Sequence, residues 1–406
     1  MINPGPTPTS SVTTSTSTST STSTRSFARV QVGALAVALA GFTALAVGMV
    51  FEPARAFSNL LVGAYLVLGL SAGGGVLLSL MAVANAGWAV VLKRIFEAFG
   101  AFLPFAAALL LAATIPGMRV LYAWARPAAA HADPLLVAKA AFLNAPFFML
   151  RMGAILAIWM AFATALRRAS LRQDLTGDPA ETRRTVRLAA GFLVAFAITG
   201  CLAAFDWIMT LEPHWFSTIF GFYNLAGILV STVSAVAVAA ILLERAGVLP
   251  ELAPAHLHDL GKLMISFATF WAYQWLSQFL LIWYSNIPEE TAYFELRWQG
   301  GWMPVWATNL VLGWLLPFLL LLPRPVKRDP RRLLPIALLL VFARWLDIWL
   351  MVLPSNFPDR PWPGLLELAG LAGPVGLFVF MVARTFQRVP LLARRDPYFV
   401  ESVHHT

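Results

Sequence analysis

The chain has 406 residues, 59% of them hydrophobic and only 12% charged, with a mean hydropathy of +0.72. No soluble globular protein of this length needs so much apolar surface, and repeated apolar runs of about 20 residues read as a helical polytopic membrane protein. The formal charge of +9 would suit a nucleic acid, but the basic residues sit in short loops between apolar runs, so nucleic acid is excluded as a partner.

In chain order, residues 1–24 are a low-complexity Ser/Thr-rich tail, expected to be disordered. A membrane domain follows over 25–388, and a short C-terminal tail over 389–406. Ten spans are expected near 32–50, 57–82, 97–116, 143–166, 187–210, 219–243, 261–285, 303–322, 333–353 and 364–384. The small residues of Ala54-Arg55-Ala56 would suit signal-peptide cleavage, but the apolar run before them is long for that and reads as a retained helix. Gly69, Gly73, Gly74 and Gly75 in the second span favour close helix packing.

Charge sets the expected orientation. The loop between the fourth and fifth spans carries Arg167, Arg168, Arg172, Arg183, Arg184 and Arg187, and the other loops at the same end are also basic. The opposite end has only Arg55, Arg119, Arg126, Lys139, Arg297 and Arg360. The positive-inside rule then puts both termini in the cytoplasm, as an even number of spans requires.

One stretch organises the chain: Asp206 to Asn224, DWIMTLEPHWFSTIFGFYN. It places Asp206, Glu212 and His214 close together between two apolar runs, and intramembrane acids tend to mark ion, proton or substrate paths. A turn with a cap and an interfacial aromatic belt explains the same residues. Arg151, Asp206, Arg344 and Asp347 are expected at similar depth, with Gln274, Ser277 and Gln278 nearby. Arg344 and Asp347, three residues apart, can pair on one helix face. A functional site and an ion pair that pins helices are both open readings.

The seventh span carries Lys262, Ser266, Thr269, Tyr273 and Ser277 on one face, a candidate hydroxyl wire or a set of helix-packing contacts. With His258, Asp259 and Glu97 at the inner end and Asp206 and Glu212 at the outer, it would make a path across the membrane. Glu289 and Glu290 follow Asn286-Ile287-Pro288, which is expected to be extended. They should lie in a helix first turn, as capping charges or as a partner-docking surface. Cys201 stands alone, so disulfides and iron–sulfur ligation by this chain alone are excluded. No histidine falls inside a predicted span, and no metal ligand set is expected.

Asp206-Trp207…Leu211-Glu212-Pro213-His214-Trp215-Phe216-Ser217-Thr218 and His258-Asp259-Leu260-Gly261-Lys262 resemble the polysulfide-reductase/NrfD-like membrane subunits. So does the run from Phe270-Trp271-Ala272-Tyr273 through Ser277-Gln278 to Ile282-Trp283-Tyr284-Ser285-Asn286-Ile287-Pro288-Glu289-Glu290. The pattern is most similar to the ActF-like membrane subunits of alternative complex III, a quinol:electron-acceptor oxidoreductase of bacterial respiratory and photosynthetic chains. The resemblance implies ten helices, with two four-helix bundles and two peripheral helices. It implies an inner-membrane location, a sister NrfD-like subunit, and iron–sulfur and multihaem cytochrome c subunits that hold the haem c and iron–sulfur clusters. It also implies a role in proton translocation, or a quinone-site-like pocket, for a chain that binds no metal itself. A stand-alone secondary transporter and a purely structural membrane anchor are the alternatives.

Overall fold

A computed structural model describes residues 16–405. Every regular element among them is helical. In order these are α1 (Thr16–Phe51), α2 (Pro53–Val83), a 3₁₀ turn (Gly87–Leu92), α3 (Lys93–Gly100), α4 (Leu103–Leu121), α5 (Pro127–Ala132), α6 (Pro134–Lys139), α7 (Ala145–Thr176) and α8 (Pro179–Trp207). Then follow α9 (Ile219–Arg245), α10 (Pro254–Ser285), α11 (Pro288–Trp298), α12 (Trp302–Leu310), α13 (Leu316–Leu321), α14 (Arg324–Arg328), α15 (Pro330–Val352), α16 (Leu365–Arg388) and α17 (Phe399–Val403). A π-helical turn, Val311–Leu315, joins α12 to α13.

The helix starts follow local chemistry. Asp133, Asn144, Asp178 and Asp329 cap α6, α7, α8 and α15 by accepting from backbone N–H groups of the first turn. Each of these helices also has proline at its first or second position, where no N–H is missed. Gly177, with φ +69°, closes α7 in the left-handed conformation that glycine adopts without strain. Asn286 does the same for α10 at φ 48°, so only Ile287 of the Asn-Ile-Pro corner is extended.

Nine helices among the described residues are long and apolar enough to cross a membrane. The expected span over 261–285 is not one of them. It lies within α10, a helix of 32 residues whose polar residues dilute its apolar run. The third expected span lies within the apolar stretch Gly87–Leu121, which is interrupted by a turn at Ala101 and Phe102, so that Glu97 sits in α3 before the turn and α4 follows it. Helix α1 reaches back to Thr16, into the expected Ser/Thr-rich tail, and residues 1–15 of that tail lie outside the described residues.

Helix α1 runs antiparallel to α16, and at the end where α16 finishes the Gln31 amide donates to Gln387 at 2.9 Å. We call this the terminal end and the opposite one the far end. Helix α2, buried from Ser58 to Ser79, packs on α4, α8, α9 and α16. Helix α9 in turn contacts α10 and α15, and α7 lies on α8. A Cβ at Gly73 would fall 2.1 Å from the Thr232 hydroxyl, so glycine is what lets α2 approach α9.

Candidate functional site

Asp347, in the last two turns of α15, collects donors from four helices. Its Oδ1 accepts from the Tyr223 hydroxyl of α9 and from Asn309 Nδ2 of α12, the latter at 3.1 Å. Its Oδ2 accepts from Trp271 Nε1 of α10 at 3.2 Å and from Arg344 Nη1 one turn earlier. Arg344 Nη2 continues to Asn224 Oδ1 at 3.0 Å, which also receives the Tyr65 hydroxyl at 3.3 Å. Both charged side chains are buried. Such a pair is tolerable in an apolar interior only because hydrogen bonds satisfy the remaining lone pairs and protons. The local sequence makes room for it. A Cβ at Gly227 would sit 2.4 Å from Arg344 Nη1, and Gly313, in the π-helical turn, lies against the Trp271 ring. π-Helical turns recur at functional sites, where they re-aim the side chains around them.

Beside this cage lies a cavity of about 20 Å³ lined by Tyr223, Gln278, Tyr293, Arg297, Asn309 and Asp347, among others. Gln278 Oε1 and Asn309 Oδ1 are buried acceptors with no hydrogen-bond partner among the described residues. A void of that size has room for about one water, which could donate to such acceptors. On the far side stands Arg297, fully buried in α11. It donates to the carbonyls of Leu350 (3.0 Å) and Met351 (3.3 Å) at the end of α15, to Tyr293 O (2.8 Å) and to Glu212 Oε1 (2.7 Å). A cation at a helix C-terminus is electrostatically favoured. Arg297 thus lies in the connection after α10, as expected, but as a buried anchor rather than an exposed charge.

The Glu-Pro-His-Trp corner is stitched at every residue. Glu212 binds Arg297, and Lys139 Nζ donates to Pro213 O at 2.7 Å. His214 pairs with Asp133 at 2.7 Å. Trp215 stacks on Tyr293 at 3.9 Å and donates to Glu290 O at 3.1 Å. Burial pushes the Asp133 carboxyl up, but the Leu135 N–H and His214 outweigh it and hold the group below its ordinary value. Glu289 and Glu290 lie in the first turn of α11, with Glu289 exposed.

Asp206 belongs to a separate pair. Arg151 of α7 grips both its oxygens, Nε to Oδ2 at 2.6 Å and Nη2 to Oδ1 at 2.7 Å. The guanidinium also lies over the rings of Phe142 and Phe147, 3.8 and 4.3 Å from their centroids. No ion pair or hydrogen bond among the described residues joins this pair to the Arg344–Asp347 cage. Two-point pairing under an aromatic cover suits a pin between α7 and α8.

The expected hydroxyl wire does not run through the interior. Lys262, Ser266, Thr269 and Tyr273 point out of the molecule from α10, Tyr273 with 61% of its surface exposed, and Ser277 is half-buried. The four- and three-residue spacing puts them on one face, as expected, but that face is the unpacked one. The inner groups also separate. Asp259 bonds Lys262 and His405, the latter at 2.7 Å, and His258 sits half-buried beside it with Nδ1 unpartnered among the described residues. Glu97 instead binds Arg94, which reaches Asp174 and Ser170. The C-terminal tail bridges the two clusters: Asp396 accepts from Lys93 at 2.7 Å, Ser402 O meets His256 Nε2 at 3.0 Å, and His405 meets Asp259.

Arg297, Asn309, Asn224, Tyr223 and Trp271 are site residues that sequence reasoning did not single out. Asn309 offered one signal, a lone amide within the apolar run 303–322. No group of three or more His, Cys, Asp or Glu side chains suited to a metal occurs among the described residues. The chain matches no protein-family model and no curated protein sequence.

Proposed function

We propose that this chain is an integral membrane subunit of a quinol:electron-acceptor oxidoreductase of the alternative complex III type, and that it contributes a proton path. In this reading it spans the bacterial inner membrane ten times, α10 included, as two four-helix bundles with α1 and α16 peripheral, and both termini are cytoplasmic. The sequence resemblance to polysulfide-reductase/NrfD-like subunits supplies the complex. The observation that carries the proton role is the buried polar thread at the far end. It runs from Arg344 and Asp347 past the unpartnered acceptors of Gln278 and Asn309 to Arg297 and Glu212. Buried polar groups in an apolar helical core are costly and mark ion or proton routes. The cavity favours protons over a quinone bound within it, because about 20 Å³ holds a water and not a ring.

The outward face of α10 supports a partner. Ser266, Thr269 and Tyr273 make no hydrogen bond among the described residues, and unsatisfied hydroxyls facing hydrocarbon are unfavourable. A helix of the sister NrfD-like subunit would cover them. Iron–sulfur and haem c subunits, with no metal held by this chain, would carry the electrons. In the complex reconstituted into liposomes, Asp347→Asn should lower the protons moved per electron several-fold while quinol turnover persists. Unchanged proton movement would contradict the path, and loss of turnover together with loss of assembly would assign Asp347 to structure alone.

A further inference from the structure

At the terminal end, where α3 gives way to α4, a cleft of about 280 Å³ opens between that break and α7. Leu103, Pro104, Met160 and Ala163 form its apolar walls, and Arg167 and Arg168 stand at its mouth. Arg167 is half-buried and Arg168 exposed. Neither has an ion-pair or hydrogen-bond partner among the described residues, whereas Arg94 and Arg172 nearby pair with Asp174 and Glu181. Both arginines follow directly on the apolar stretch of α7. We propose that this cleft binds one anionic phospholipid, its phosphate held by Arg167 and Arg168 and an acyl chain lying along Leu103, Met160 and Ala163.

Three features select this ligand. Two adjacent guanidinium groups without a protein partner favour an anion, and Arg suits phosphate through paired N–H donors. The walls below them are apolar, which a free phosphate would leave unused. Basic pockets between helices at the cytoplasmic side are a recurring setting for acidic headgroups. The inference rests on the membrane location and the basic end of the molecule, and not on the redox reading.

The test uses the full chain, delipidated in mild detergent and titrated with phosphatidylglycerol, phosphatidylcholine or inorganic phosphate, with native mass spectrometry counting adducts. Phosphatidylglycerol should bind in preference to phosphatidylcholine, and R167Q/R168Q should weaken that binding about tenfold. R167K/R168K should restore part of it, and R172Q, which removes a charge outside the cleft, should leave it unchanged. Equal retention of the two lipids, or binding unchanged in R167Q/R168Q, would overturn the proposal. Phosphate displacing phosphatidylglycerol at equal concentration would overturn the lipid and leave a plain anion site.

Discussion

Asp347 and Arg344 each depend on the other. Removing one partner of a buried pair leaves an uncompensated charge and costs about 3–5 kcal/mol, whereas replacing both with apolar groups is often neutral. Asp347→Leu should therefore lower the unfolding temperature in detergent far more than R344M/D347L does, and equal losses would show that the pair is not coupled. The spacing of these two residues was legible in the sequence, because positions i and i+3 share a helix face. Their other partners were not. Tyr223, Trp271 and Asn309 reach Asp347 from helices separated in the chain by loops, and no local pattern encodes that approach. The anchoring role of Arg297 was hidden for a related reason: hydropathy records that a charge lies between two apolar runs, not that its guanidinium folds back under the end of α15.

At the scale of elements, periodicity told which residues of α10 share a face but not which way the face looks. The stripe from Lys262 to Tyr273 turned out to be exposed, while Trp271 and Gln278 on the packed side meet the polar site. Tyr273→Leu should leave the stability of the isolated chain within about 0.5 kcal/mol, since the hydroxyl has no partner to lose among the described residues. The same variant should weaken co-purification of the sister membrane subunit. A large loss of stability with association intact would mean that the exposed face is not an interface. The third span was legible as one apolar run, but the turn at Ala101 and Phe102 inside it was not, because hydropathy does not record backbone direction.

The whole molecule gathers buried charged side chains near both of its ends. The far end holds Asp347, Arg297 and Glu212, and the terminal end holds Lys93, Arg94, Glu97 and Asp259, tied together by the C-terminal tail. The long all-helical architecture was legible because apolar runs long enough to cross a bilayer have few other uses. The tail's role was not, because its contacts with Lys93, His256 and Asp259 span most of the chain. Purifying the tagged full chain from native membranes in gentle detergent, with haem spectra and mass spectrometry of the associated chains, tests whether it is a subunit of a quinol-oxidising complex. The expected result is a coloured preparation containing haem c, iron–sulfur subunits and a second NrfD-like membrane subunit in fixed ratio. A colourless chain that purifies alone would contradict it.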